Sequence, residues 1–286
     1  MKRVPAPLLV LAAIASVQLG SAVARTLFDD LGASGVTFLR LAVAAVLLGV
    51  LTRPDVRSWS LAQWRAAALL GIAMGSMNLV FYLAIQTVPL GTAVTVEFLG
   101  PLLLALVQTR RLPDLVWALL AGAGVVLLGL HSGGSAPLGG LVLALVAGLC
   151  WAGYIVFSAR VGALIPGTGG LAVSLAVGAL LVAPFGLGGA SAVLGHPHLL
   201  LGGTAVALLS SVISYGLELN ALRRVPTRVF GILMSLEPAA AALAGLLVLG
   251  QRLGRVEVVA LVLVTLASVG VTLGRRAAVE REVVPV

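Results

Sequence analysis

Val225-Pro226-Thr-Arg228-Val-Phe-Gly-Ile-Leu-Met-Ser-Leu-Glu237-Pro238 joins a basic corner to an apolar run that closes on one acid and a proline. Arg223 and Arg224 stand just before it. The same frame occurs earlier in the chain. Val88-Pro89 is followed by Pro101 at the distance that separates Val225-Pro226 from Pro238, and each interval holds one carboxylate, Glu97 or Glu237. A carboxylate at the centre of a membrane helix costs about 2.5–3.5 kcal/mol on insertion scales. Both acids are therefore expected to face a bundle interior or a wet cavity, unless they serve as structural anchors to a neighbouring helix.

Composition agrees with a membrane setting. Of 286 residues, 60% are hydrophobic and 10% charged, against about 25% charged in a soluble domain. There is too little polar surface to face water all round, so the chain reads as an all-α membrane protein. The net charge of +8 sits in short clusters between apolar runs, as loop anchors do, and so does not point to nucleic acid. Cys150 is the single cysteine, which excludes an intramolecular disulfide and a cysteine-based metal cluster.

Outward from the two acids, the apolar runs mark ten expected spans of roughly twenty residues. The first runs over Leu8–Ala24. Ala22-Val-Ala24 resembles a signal-peptidase site, but Ala12, Ser16, Gly20 and Ala24 recur every four residues, a stripe that suits a retained, packed helix. Residues 25–35 read as a turn, and 36–51 as helix 2 with Arg40 inside it. Helix 3 covers 66–85 with Gly71-x-x-x-Gly75, Asn78 and Tyr82, and helix 4 covers 91–107 with Glu97. Helix 5 spans 115–130. A Gly/Ser/Pro-rich linker at 131–140 follows, and Leu141-Val-Leu-Ala144 then repeats Leu9-Val-Leu-Ala12. Helices 6 to 10 are expected at 141–158, 170–185, 199–222, 229–250 and 256–273, with a Gly-rich loop before His198 and a charged tail at 275–286. The division is thus a first repeat at 1–130, a linker at 131–140, a second repeat at 141–274 and the tail. Five spans per half is odd, so the halves must enter the bilayer in opposite orientation, as inverted repeats.

Charge orients the whole. With both termini on one side, that side carries Lys2, Arg3, Arg53, Arg57, Arg65, Arg110, Arg111, Arg160, Arg223, Arg224, Arg228, Arg275, Arg276 and Arg281. The other carries Arg25, Arg252 and Arg255. The positive-inside rule makes the first side cytoplasmic. Trp59, Trp64 and Trp117 fall near the expected interfaces, as belt residues do.

Several stretches resemble the drug/metabolite transporter superfamily, EamA-type, and its threonine/homoserine-exporter branch in particular. They are Leu31-Gly-Ala-Ser-Gly-Val-Thr-Phe-Leu-Arg40, Met77-Asn78-Leu-Val-Phe-Tyr82-Leu-Ala-Ile85, Pro89-Leu-Gly-Thr-Ala-Val-Thr-Val-Glu97-Phe-Leu-Gly-Pro101 and Leu222 through Pro238. The resemblance runs nearly end to end. It implies an inner-membrane exporter of small amino acids or related metabolites, driven by proton antiport, with a central cavity lined by helices 3, 4, 8 and 9. Its partners would be a small-molecule substrate, protons and the lipid bilayer. Other members of the superfamily export other metabolites or drug-like compounds, and a small-solute channel would share many of these features.

The candidate cavity residues follow. Matching Pro89 to Pro226 sets Glu237 opposite Gly100, one helix turn from Glu97, so the two acids are expected on one cavity from opposite halves. Arg40 could grip a substrate carboxylate with its planar fork; the alternatives are snorkelling to the interface or pairing with Asp29 or Asp30. Asn78 and Tyr82 share a helix face, and the same offset matches Asn78 to Tyr215. Each could bond an amino acid or another helix. Glu218 could belong to the cavity or pair with Arg223 or Arg224. An enzyme is disfavoured, since HExxH, GxSxG and P-loop patterns are missing. His196-Pro-His198 lacks a third ligand, so no metal and no cofactor are expected.

Overall fold

The structure is a computed structural model that describes residues 5–109, 114–131, 137–222, 230 and 233–283. Among them every regular element is helical. In chain order these are α1 (Ala6–Thr26), α2 (Phe28–Thr52), α3 (Leu61–Ala84), α4 (Leu90–Glu97), α5 (Leu99–Thr109), α6 (Asp114–His131), α7 (Leu138–Leu164) and α8 (Gly169–Ala190). Then come α9 (Pro197–Ala207), a π-helical stretch at Leu208–Ile213, α10 (Ser214–Leu222), α11 (Glu237–Leu249) and α12 (Arg255–Val283). Six stretches in this set are long and apolar enough to cross a membrane: α1, α2, α3, α7, 169–194 and 197–218. The basic corner at 223–228 and residues 132–136 of the linker lie outside the described residues.

Several boundaries differ from the expectation, each for a local reason. Residues 25–35 are not a turn: α1 and α2 meet at Leu27, and Asp29 and Asp30 occupy the first turn of α2, where the helix dipole favours acids. The one departure from helical backbone inside α2 is at Gly32, whose φ of 66° kinks the helix. α3 starts earlier than expected because Ser60 and Gln63 close a capping box. The glycines at 186–189 stay helical. A Cβ on Gly186 would meet the backbone of Ser34, and one on Gly189 the backbone of Leu31, so they let α8 lie against α2. The charged segment at 275–286 is not a separate tail, because α12 continues to Val283.

The largest correction concerns helix 4. It is two helices, α4 and α5, broken at Phe98. Pro101 has no N–H to return to the carbonyl of Glu97, four residues back, so the ladder fails there. Helix 9 likewise restarts at Glu237, with Pro238 in the first turn of α11, a position proline tolerates. Both acids thus sit at helix breaks.

Small residues set the packing. Gly71 and Gly75 press onto Ser174 and Gly178 of α8, and Ser174 Oγ donates to the Ala67 carbonyl at 2.9 Å. On α1, Ser16 Oγ donates to the Leu209 carbonyl at 2.7 Å, and Gly20 abuts Leu209 and Ser210. Ala12 of the same stripe is exposed. Gly148 of α7 crosses the α4/α5 break in backbone contact with Glu97 and Gly100.

Hydrogen bonds also tie the two ends of the bundle. At one end, Arg25 Nε donates to the Ile85 carbonyl (3.0 Å), and Gln251 Oε1 accepts from the Leu90 N–H (2.9 Å). At the other, Gln63 Nε2 donates to the Leu164 carbonyl (2.9 Å), and Gly169 packs on Pro54. α1 and α3 therefore finish at the first end, and α2 and α7 at the second.

Candidate functional site

A half-open cavity of about 90 Å³ lies between α1, α2, α3, α7, α10 and the two helix breaks. A water needs about 10–15 Å³ on this scale, so there is room for several. Its polar wall includes Arg40, Asn78, Glu97, Tyr215, Glu218 and Glu237. Glu97 and Glu237 are 7% and 5% exposed, yet they come from opposite halves of the chain.

Arg40 is turned inward and 3% exposed. It neither snorkels nor pairs with Asp29 and Asp30, which are exposed at the start of α2. Its Nε donates to Ser211 Oγ (3.1 Å), its Nη2 to the Ser210 carbonyl (2.9 Å) and its Nη1 to Tyr82 Oη (3.0 Å). Two of these partners come from the π-helical stretch. The extra residue per turn there brings Ser210 and Ser211 to the guanidinium together, and such bulges recur at functional sites. Its planar fork is thereby held in one orientation.

Tyr82 is fully buried but stands behind the cavity rather than on it. It contacts Phe28 and supports Arg40 from beneath, with the guanidinium carbon 5.5 Å from the ring centre. Asn78, one turn earlier, lines the cavity and donates from Nδ2 to the Met74 carbonyl at 2.8 Å. Tyr215 stacks on Tyr154 of α7, with ring centres 6.1 Å apart. Glu218 faces the cavity; Arg223 and Arg224 lie outside the described residues. Among the described residues no group of three or more His, Cys, Asp or Glu could hold a metal ion.

A chemically mixed cavity inside an apolar bundle is what a solute carrier requires, and comparison with known proteins points the same way. The model of the EamA-like transporter family matches residues 138–273. The threonine/homoserine exporter RhtA of Salmonella typhimurium (strain SL1344) is 43% identical over 268 residues, which are 93% of this chain and 90% of that protein. RhtA of Escherichia coli (strain K12) is 43% identical over 267 residues, with the same coverage. The chain belongs to the EamA-like transporter family.

As an EamA-like transporter it is a multi-pass membrane protein and not an enzyme. A solved structure described only as "Crystal structure of protein" shares the fold, at a TM-score of 0.59 and 21% identity, over 95% of this chain and 98% of that one.

Sequence reasoning missed part of the wall. Gln18 and Ser21 of α1, and Trp151 and Tyr154 of α7, also line the cavity of this EamA-like transporter. Gln18 left a signal, being the one side-chain amide in the first apolar run. Tyr154 left none that separates it from a packed core aromatic.

Proposed function

We propose that this protein exports small neutral amino acids of the threonine and homoserine type across the bacterial inner membrane in exchange for protons. The observation that carries this reading is the meeting of Arg40 with Glu97, Glu218 and Glu237 around one cavity inside the bundle. A guanidinium complements a substrate carboxylate, and a carboxylate complements its ammonium group. Arg40 lines the cavity with its planar fork oriented by Ser210, Ser211 and Tyr82, a geometry that suits a carboxylate. A proton and an ammonium group compete for the same carboxylate. Loading one expels the other, and this links the two flows in opposite directions. The 43% identity to RhtA supports the choice of substrate.

The architecture we assign is ten spans in two inverted five-helix repeats, residues 1–130 and 141–274 around the 131–140 linker. The spans are α1, α2, α3, α4 with α5, and α6, then α7, α8, α9 with α10, the segment ending in α11, and α12. The packing supports this. Equivalent elements meet each other as α2 with α8, α4 with α11 and α6 with α12. The contact of α3 with α7 is mirrored by that of α10 with α1, and the contact of α4 with α7 by that of α11 with α1. Both termini are cytoplasmic in this reading, on the count of basic residues.

The test uses the full chain in proteoliposomes with an acidic lumen. Labelled threonine should accumulate above its outside concentration and leave when a protonophore collapses the gradient. Equilibration without accumulation would mark a channel, and absence of saturable entry would remove the amino-acid reading.

A further inference from the structure

We infer that Gln18 reads the side-chain hydroxyl of the transported amino acid. The inference rests on the amino-acid reading of the cavity given above and adds a third recognition point to the two charged ones.

Gln18 projects from α1 to the cavity wall and is 5% exposed. Its Oε1 is buried and has no hydrogen-bond partner among the described residues. The hydroxyl oxygens of Thr92, Ser210 and Thr265 are also buried without a partner, but none of those residues lines the cavity. Thr37, Thr95, Ser214 and Asn78 each return a bond to the carbonyl four residues back. Glutamine is too long to close that bond comfortably, and a buried amide oxygen without a partner is costly to keep. The expense is explained if a ligand supplies the missing donor.

Its place relative to Arg40 is fixed. Ser16 and Gly20, two residues to either side, pin α1 to Leu209 and Ser210. Ser210 in turn holds Arg40. A zwitterion anchored by its carboxylate on Arg40 and its ammonium on the acids still has a side chain to place. An amide both accepts from and donates to a hydroxyl, so Gln18 satisfies a hydroxyl on that side chain and leaves a methyl in its place unrewarded. A site built to bond a hydroxyl discriminates most strongly against the analogue that lacks it.

Valine is the test ligand, because it replaces the threonine hydroxyl by a methyl group. Competition of each amino acid against labelled threonine is measured in proteoliposomes of the unaltered chain, Gln18→Met and Gln18→Leu. Both variants keep side-chain bulk and lose the amide. The ratio of half-inhibitory concentrations does not depend on how much protein is inserted, and either variant suffices. The unaltered chain should prefer threonine about tenfold or more, consistent with one hydrogen bond. Each variant should lose that preference through weaker threonine competition, with valine changed less than twofold. A preference retained in the variants, or weakening of both ligands alike, overturns the inference while amino-acid transport stands. Absence of saturable threonine entry in the unaltered chain overturns the amino-acid reading and this inference with it.

Discussion

Gly148→Ala should loosen the transporter at its centre. A Cβ on Gly148 would fall on the Glu97 carbonyl, and one on Gly100 would fall on the Gly148 carbonyl. Both obstacles are backbone, so no flexible side chain can yield, and α7 must draw back from the α4/α5 break. Overpacking of this kind costs about 1–3 kcal/mol. Gly153 on the same helix is the control. A Cβ there meets only Phe157 and Ala73, at 3.8 and 3.9 Å, so Gly153→Ala should gain roughly 0.5–1 kcal/mol from reduced backbone freedom. With about 2–4 °C per kcal/mol for larger domains, Gly148→Ala should melt roughly 3 °C or more below Gly153→Ala in a thermal-unfolding assay of the purified protein. Transport should fall too, because the shift carries Glu97, Trp151 and Tyr154 with it. A Gly148→Ala protein that melts with Gly153→Ala and transports at the full rate would refute backbone contact at this crossing.

Two further outcomes follow from other parts of the structure. Tyr82→Phe removes one of the partners that orient Arg40, so the threonine KM should rise about tenfold, the equivalent of roughly 1.4 kcal/mol, at unchanged protein level; an unchanged KM would show that Tyr82 does not position the guanidinium. With Cys150 replaced by Ala, cysteine at exposed Ser191 should react with an impermeant thiol reagent in intact cells and cysteine at exposed Ser58 should not; labelling at Ser58 would reverse the orientation.

Much of the site was legible because it is expensive. Glu97, Glu237 and Arg40 stand out in apolar runs, and in lipid that expense demands an interior position. What the sequence concealed is how the backbone serves them. The π-helical stretch that presents Ser210 and Ser211 to Arg40 has no side-chain signature, so Arg40 could be recognised but not its partners. The break after Glu97 was readable in principle from Pro101, since a proline disables the bond to the fourth residue before it. A continuous apolar run outweighed that signal. The glycines at 186–189 misled in the other direction. In water they would read as a loop; here they permit close helix contact. Gln18 was hidden by the small-residue stripe around it, which drew attention to packing rather than to the amide.

The central claim is that acids from both halves of the chain share one cavity and exchange protons with the substrate. Its most direct measurement is pH-driven threonine accumulation in proteoliposomes carrying Glu97→Gln, Glu237→Gln and the double variant. Glutamine keeps the shape and hydrogen bonding of each acid and removes its titration. The double variant should lose accumulation driven by the gradient, and one-for-one threonine exchange should weaken with it, because the carboxylates that take the proton also hold the ammonium group. Full pH-driven accumulation in the double variant would contradict the claim.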